Sequence, residues 1–477
     1  MKLLIISLCI CGLVSVLNAA KILCIFPHSA HSHYTIGFTL AKGLAARGHH
    51  VTFMAPKEEE KPTKNVKSVF LKDVKKYGEE MFDQKSIFDI VDISAAAMVV
   101  FMGFMGVTST EIFYSDQAMQ EMLVSNETFD AVIAESFTND ALLGVAYRFK
   151  APSIVVTTIG PSIWSNYFTA NPTIYSYMPH PFLGYGQKMT FCQRTHNLLL
   201  ATLEKIFNMI YYFPQQDKIL HKYIPEAPSL QELIQNTSLH IFNSDPSING
   251  PFPILPNIIE IGGIHLTPPK KLPDDLQTYL DESKNGAIYF SLGGNLKSKD
   301  LPQATREAIL RVLAKQKERI LWKFEEDLPG KPKNVQIRKW MPQQDILAHP
   351  NVKLFITHGG LLSTTESLYH GVPVIGISVF GDQDLNMKNA ENRGYGISLP
   401  YMEFTEEKFE AALNKMLNNP DYSNNAKQMS ILMKDKQVSQ MDKATYSIEY
   451  VIRHKGSPHL RSAAHDLNWF QYLSLDV

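Results

Sequence analysis

The sequence predicts an α/β protein in which two doubly wound parallel sheets face each other across a cleft. Strand patterns alternate with helix patterns in both halves of the chain, and this alternation is typical of parallel sheets covered by helices. A chain of 477 residues also exceeds the size that one core usually organises, which favours two or three domains. Residues 246–273 are rich in Pro and Gly and are predicted to connect the two halves. Each half is therefore predicted to be Rossmann-like.

The first half opens with a βαβ pattern. A strand at 22–26 leads to a loop with three histidines, and a helix then runs from roughly residue 35 to 46. Gly48 ends this helix, because glycine adopts the left-handed conformation after a last turn. The further elements predicted here are a strand at 51–54, a strand at 129–134, a helix near 141–149, a strand at 153–157, and helices and loops over 160–235.

The second half repeats the alternation after the connecting segment. Its short apolar runs have the length of buried strands, and each is followed by a segment of helical periodicity. The predicted elements are strands at 287–291, 319–324, 335–340, 353–357 and 374–377, helices at 302–315, 363–369 and 385–393, a short helix before His349, and a helical, charged tail over 405–477.

The N-terminus resembles a secretory signal. Lys2 precedes an apolar run at 3–17, and small residues follow at Ala19 and Ala20. The predicted division of the chain is a signal peptide at 1–20, an N-terminal domain at 21–245, a linker at 246–273, a C-terminal domain at 274–450 and a tail at 451–477. We therefore expect a secretory route with the lumen of the endoplasmic reticulum as the location.

The cysteines and the glycosylation sequons are compatible with a secretory route but do not establish it. Cys9 and Cys11 leave with the signal, and a bridge between the remaining Cys24 and Cys192 stays open. Asn126-Glu-Thr and Asn236-Thr-Ser match the glycosylation sequon.

Charge and hydropathy limit the classes of partner. The formal net charge of -1 gives no electrostatic argument for nucleic acid or for an anionic membrane. We expect no membrane-spanning helix after the signal, because the best apolar stretch, 95–106, is shorter than the roughly 20 residues that a span needs. This stretch is predicted to be a core helix or the wall of an apolar pocket.

Residues 340–383 carry the densest set of candidate binding side chains. The tripeptide His358-Gly359-Gly360 follows a predicted strand, and parallel sheets bind ligands at the carboxyl ends of their strands. The glycines let backbone approach a phosphate, and His358 can add a donor. The helix that starts at Ser363 presents free N–H groups to an anion.

Three further side chains in this segment have two interpretations each. Glu366 either completes a capping box with Ser363 or clamps two ribose hydroxyls. Trp340 is either a core residue at a strand end or a platform on which a base stacks. Asp382 and Gln383 can hydrogen-bond vicinal sugar hydroxyls, whereas a surface turn needs only one polar residue.

The landmarks W-x-P-Q, T-H-G-G, S-x-x-E, H-G-V-P and D-Q stand in the register of the UDP-glycosyltransferase signature. The chain resembles that family, and its insect members in particular, over almost its whole length. The resemblance implies a GT-B type fold whose N-terminal domain binds an acceptor and whose C-terminal domain binds a UDP-sugar. The implied binding residues are Trp340 for uracil, Gln343 and Glu366 for ribose, Ser291, His358, Gly360 and Ser363 for the diphosphate, and Asp382 and Gln383 for the sugar.

Transfer of a sugar to a hydroxyl needs a base, and an imidazole suits this task. The loop after the first strand offers His28, His31 and His33. In relatives the catalytic histidine lies one helix before an R-G-H turn, and His33 occupies that place. Relatives carry an aspartate at the strand end where this chain has Glu135, so Glu135 is the predicted partner of His33 and Asp140 is the alternative.

The same resemblance shapes the predicted chemistry. We expect no metal and no cofactor, with a helix dipole and an imidazole facing the diphosphate. A single displacement should invert the anomeric centre. The segment 251–257 lacks the basic residue that glucuronosyl relatives often place there, which favours UDP-glucose as the donor.

The acceptor is expected to be a small lipophilic hydroxyl compound, because 95–115 and 160–215 are rich in aromatic residues and Met. Related proteins end with a membrane span. This chain stops about where that span would begin, so we expect either a soluble product or a truncated sequence, with membrane association through the missing span. The sequence leaves the oligomeric state open.

Rival functions have weaker sequence support. An α/β-hydrolase needs a G-x-S-x-G elbow and a dinucleotide oxidoreductase needs G-x-G-x-x-G after the first strand, and the sequence has neither. The remaining alternative is a sugar-nucleotide or small-molecule binding protein that has lost catalysis, because Glu135 replaces the aspartate of relatives.

Overall fold

Two parallel sheets organise the computed structural model, which describes residues 19–59, 61–83, 88, 93–294 and 296–477. The predicted signal peptide lies almost entirely outside these residues, as do Cys9 and Cys11. The first sheet has the strand order β3-β2-β1-β4-β5-β6-β7 and the second the order β10-β9-β8-β11-β12-β13. Both follow the doubly wound order, so the predicted fold class is confirmed. The strands are β1 Lys21–Ile25, β2 His50–Ala55, β3 Val66–Phe70, β4 Ala131–Glu135, β5 Ser153–Thr157, β6 Leu239–Phe242, β7 Ile258–Glu260, β8 Ala287–Ser291, β9 Arg319–Lys323, β10 Val335–Arg338, β11 Val352–Thr357, β12 Val374–Gly376 and β13 Gly396–Ser398.

Helices cover the sheets, as the alternation predicts. In the first half they are α1 His31–Ala46, α2 Lys72–Asp83, α3 Ala95–Ser115, α4 Gln117–Val124, α5 Leu143–Arg148, α6 Ile163–Thr169, α7 Phe191–Phe207, α8 Phe213–Tyr223, α9 Leu230–Gln235 and α10 Pro246–Asn249. In the second half they are α11 Asp274–Asp281, α12 Gln303–Ala314, α13 Gln343–Leu347, α14 Leu361–His370, α15 Gln383–Asn392, α16 Glu406–Asn418, α17 Pro420–Lys434, α18 Gln440–Arg453 and α19 Trp469–Tyr472. A π-helix at Asn208–Tyr212 joins α7 to α8.

The strands are continuous apolar runs because both faces of each sheet are covered. Every residue of β4 and of β8 is buried. Phe290 and Trp322 stack at 4.6 Å between ring centroids and anchor the core of the second sheet. Cys24 is buried in β1 while Cys192 is exposed, and both are free thiols.

Two segments cross the predicted domain boundaries. The predicted linker, 246–273, contains β7, which pairs with β6 and belongs to the first sheet. Helix α18 also lies against the first sheet, where Ala444, Ile448 and Val451 join its core. Glu449 on the same helix receives hydrogen bonds from the Arg47 guanidinium, at 2.7 Å for Nε. The C-terminal part of the chain therefore returns to the N-terminal domain.

Candidate active site

A cavity of about 1460 Å³ is lined by residues of both domains. It lies at the point where the strand order of each sheet reverses, next to the carboxyl ends of β1 and β4 and of β8 and β11. Doubly wound sheets bind ligands at these reversal points, because the chain leaves the two neighbouring strands toward opposite faces and opens a crevice.

Helix α1 begins earlier than its sequence pattern indicates. It starts at His31, so His31 and His33 lie in its first turn and not in the predicted loop. The N-cap residue Ala30 offers no side-chain cap, and its backbone N–H instead donates to Nδ1 of His28 at 3.1 Å. The first turn of α1 therefore directs His33 into the cavity.

His33 contacts Glu135, which the sequence predicts as its partner. Nδ1 of His33 is hydrogen-bonded to Oε1 of Glu135 and lies 2.9 Å from the Thr158 hydroxyl. The Glu135 side chain is inaccessible to solvent, and its Oε2 accepts the backbone N–H of His28 at 3.3 Å. Because Nδ1 faces a carboxylate, the ring proton belongs there and Nε2 is left free to act as a base.

Asp140 does not contact His33. Its carboxylate accepts the Tyr212 hydroxyl at 2.5 Å and the Ser136 hydroxyl at 3.4 Å. Burial raises the pKa of Asp140 to about 7. Of the two candidate carboxylates, the structure thus brings Glu135 to His33 and holds Asp140 in a separate buried network.

His28 lies flat against His33, with 4.0 Å between ring centroids and 19° between planes. Phe137 meets both rings edge-on, at 4.9 Å and 4.8 Å. Burial, together with the charge that His33 can carry, lowers the pKa of His28 well below its usual value. A neutral ring and an aromatic edge therefore fix the plane of His33.

The diphosphate candidates meet at the ends of β8 and β11. Ser291 ends β8, where its hydroxyl accepts the backbone N–H of Gly293 at 3.2 Å. His358 follows β11, and a Cβ added to Gly293 would come 2.6 Å from its ring. Gly293 also has a φ of +89°, so both the space and the backbone conformation require glycine there.

The capping-box interpretation of Glu366 is wrong. The N-cap of α14 is Gly360, not Ser363. Glu366 instead accepts Nε2 of Gln343 at 2.6 Å and Nε2 of Gln344 at 3.2 Å. Gln343 also donates to Ser363 at 3.2 Å. These contacts hold the carboxylate at the cavity wall.

Trp340 is not a core residue, because 71% of its surface is exposed and it lines the cavity. Asp382 is the N-cap of α15, and Asn386 donates to it at 3.0 Å. Burial raises the pKa of Asp382, opposed by Asn386 and by the charge of His33. Gln383 accepts the backbone N–H of Val379 at 2.8 Å, which shapes the loop before it. His33 and Asp382, from different domains, are therefore electrostatic neighbours.

Comparison with known proteins agrees with this arrangement. A family model described as UDP-glucoronosyl and UDP-glucosyl transferase matches residues 21–477. The chain belongs to this family. It is 38% identical to UDP-glycosyltransferase UGT5 of Dactylopius coccus, over 97% of this chain and 89% of that protein. It is 32% identical to human UDP-glucuronosyltransferase 1A10, over 99% of this chain and 90% of that protein.

Solved structures support the fold of this UDP-glycosyltransferase. The glycosyltransferase VinC in complex with dTDP superposes with a TM-score of 0.63 at 15% identity, over 91% of this chain and all of that one. The glycosyltransferase of kitacinnamycin superposes with a TM-score of 0.58 over 92% of this chain. The two-domain fold and the transferase activity on UDP-sugars are thus those of the family.

Lys323 lies at the candidate donor site of the glycosyltransferase but is not among the residues that the sequence predicts there. Lys323 ends β9, lines the cavity and donates to the Gly293 carbonyl at 2.8 Å. His358 was expected to supply positive charge, but burial and the charge of Lys323 lower its pKa to about 4. His358 is therefore neutral in the free protein, and Lys323, which also donates to Glu325 at 3.1 Å, brings a cation to the cavity wall. Its position at a strand end next to β8 could have indicated this role.

Helix α3 forms part of the acceptor side of the cavity through Met98, Met102 and Met105. The helix is 21 residues long, and length and composition alone would let it cross a membrane, so the expectation of a shorter stretch is wrong. It packs on α7, where a Cβ on Gly103 would clash with the Phe207 ring. The predicted pocket wall is confirmed.

Within the described ranges, no group of three or more His, Cys, Asp or Glu side chains could hold a metal ion.

Proposed function

We propose that this UDP-glycosyltransferase moves glucose from UDP-glucose to a hydroxyl of a small lipophilic acceptor, with inversion at the anomeric carbon. The observation that carries the proposal is the His33–Glu135 contact in a cavity that the donor loops of the second domain complete. The longer Glu135 side chain reaches His33, which favours an enzyme over a binding protein without catalysis.

The chemical step is a single displacement. The acceptor oxygen forms a bond to the anomeric carbon while Nε2 of His33 takes its proton. The bond between that carbon and the diphosphate oxygen breaks, and UDP leaves with the electron pair from the opposite face. Glu135 stabilises the imidazolium that forms, as an orienting carboxylate does in other catalytic pairs.

The leaving diphosphate is stabilised by groups of this chain. Lys323 supplies a cation, His358 a neutral donor, and the N-terminus of α14 free N–H groups beside Gly360. This set supports transfer without a divalent metal. Activity should persist when excess EDTA replaces added magnesium, and full loss restored by a metal ion would contradict this part of the proposal.

Glucose is favoured because the segment 251–257 carries no basic residue. The carboxylate of a uronic acid would need such a partner, whereas the hydroxyls of a hexose do not. Side-by-side rates with UDP-glucose and UDP-glucuronate test this choice, and a faster reaction with UDP-glucuronate would refute it.

The central experiment is turnover of UDP-glucose with a phenolic acceptor. His33→Ala should lower kcat by about 10²–10⁴-fold, because it removes the base. His50→Ala, at an exposed position that does not line the cavity, is the matched control and should keep full activity. If the unmodified protein binds UDP-glucose and acceptor but forms no glucoside, the binding-protein alternative is correct.

A further inference from the structure

The acceptor side of the cavity contains a second imidazole–carboxylate pair, remote in sequence from His33 and Glu135. His180 and Glu204 both line the cavity. His180 is 1% exposed, whereas 16% of the Glu204 side chain remains accessible. The proposed reaction uses neither residue.

The loop that carries His180 is fixed to α7, the helix that carries Glu204. Asn197, also on α7, accepts the backbone N–H of His180 at 2.7 Å. Its amide donates to the carbonyls of Tyr175 and Met178, at 2.8 Å and 2.9 Å. Asn197 and Glu204 are separated by two helical turns and so lie on one face of α7. The pair therefore has a built and rigid support.

One polar atom of each partner, Nε2 of His180 and Oε2 of Glu204, lacks a satisfied hydrogen bond. The backbone N–H of Phe182 donates to Nδ1 of His180 at 3.1 Å, so the ring proton lies on Nε2. Nε2 is 3.3 Å from Oε2 of Glu204, but neither atom makes a hydrogen bond of normal geometry. Val99 and Phe182 add apolar surroundings. A carboxylate in such a place is costly until a donor satisfies it.

We propose that Glu204, which lies beside His180, binds a hydrogen-bond donor on the acceptor, distinct from the hydroxyl that reacts at His33. The preferred acceptor then has an apolar body that contacts α3 and two polar groups. The second group is an O–H or a protonated N–H, since a carboxylate recognises both. This inference rests on the proposed function, because it needs an acceptor in this cavity.

The test compares acceptors that differ only at the end opposite the reacting phenol. On biphenyl and longer biaryl skeletons, that end carries hydrogen, hydroxyl or aminomethyl. For at least one skeleton, kcat/KM should be about 10–100-fold higher for the hydroxyl and aminomethyl compounds than for the compound with hydrogen. The value for a symmetric diol is first divided by two, because either of its hydroxyls can react. Calorimetric binding of the same compounds should show the same ratio.

Variants of Glu204 identify the group responsible. Glu204→Leu should reduce the ratio to about one for both polar compounds, while the hydrogen compound keeps its rate within about threefold. Glu204→Gln should retain part of the hydroxyl preference and lose the aminomethyl preference, because it keeps an oxygen acceptor without the charge. Glu232→Leu, at an exposed position outside the cavity, is the matched control and should change nothing.

The outcomes separate this inference from the function on which it rests. Equal binding and turnover of all three compounds on every skeleton would overturn it, and so would a preference that survives in Glu204→Leu. Absence of glucoside with every acceptor would instead refute the proposed function. In that case the binding ratios still decide whether Glu204 recognises the second polar group.

Discussion

Replacing Glu135 by glutamine tests the proposed base most directly. The change keeps the size of the side chain but removes its charge in a site with no solvent access. The amide oxygen can still accept the backbone N–H of His28. The amide nitrogen then faces Nδ1 of His33, and it can only donate.

The expected magnitude follows from the tautomer. With a donor opposite Nδ1, the ring proton moves to Nε2. In the proposed reaction Nε2 must be unprotonated, because it takes the proton of the substrate hydroxyl. The charge that stabilises the imidazolium is lost as well. Comparable losses of an orienting carboxylate lower kcat by up to about 10⁴-fold. We expect kcat to fall by about 10²–10⁴-fold, or roughly 3–5 kcal/mol of transition-state stabilisation.

The assay is steady-state formation of the glucoside together with calorimetric binding of UDP. The affinity for UDP should be unchanged, because Glu135 lies in the other domain. Asp140→Asn is the comparator: Asp140 bonds to Tyr212 and Ser136, not to His33, so kcat should stay within about threefold. A Glu135→Gln enzyme with kcat within twofold of the unmodified protein, and with unchanged melting temperature, would refute the assignment.

Three further predictions concern donor binding and stability. Trp340→Ala should weaken UDP binding by about 5- to 150-fold, the contribution of one stacked base, as measured by calorimetry. Gly293→Ala should displace His358 and strain a φ of +89°, so UDP affinity should fall while acceptor binding persists in the same titrations. Burial raises the pKa of Asp140 to about 7 from its ordinary 3.8. Between these two pH values, the folded state therefore keeps a proton that the unfolded chain has released. Stability should fall as pH rises through that window, and urea unfolding of Asp140→Asn should lose this slope.

The strands and the clustering of the candidate donor residues could be predicted because their signals are local. Buried parallel strands are short apolar runs, and the predicted bounds of β5 and β8 agree with the structure to the residue. The side chains at 340–383 lie at strand ends of one sheet, so sequence proximity places them in one crevice. For these side chains, the local sequence pattern and the position in the folded domain predict the same crevice.

The misplaced elements depend on distant contacts. Strand β7 lies in a Pro- and Gly-rich segment whose composition indicates a linker, and only its pairing with β6 makes it a strand. Helix α1 extends to His31 although Ala30 is a poor N-cap, and its first turn holds His33 against Glu135, 102 residues further along the chain. Lys323 lacks a motif of its own and becomes part of the site only when β9 pairs with β8.

The acceptor side of the cavity is harder to predict from the sequence than the donor side. Its residues come from α3, α7 and the loop that carries His180, which are connected by side-chain contacts such as that of Asn197 and not by strand pairing. These elements have helical periodicity, which predicts a buried face but not which polar side chain that face exposes to a cavity. The candidate donor site thus lies at strand ends and can be predicted from sequence, whereas the proposed acceptor contact at Glu204 depends on helix packing and becomes apparent only in three dimensions.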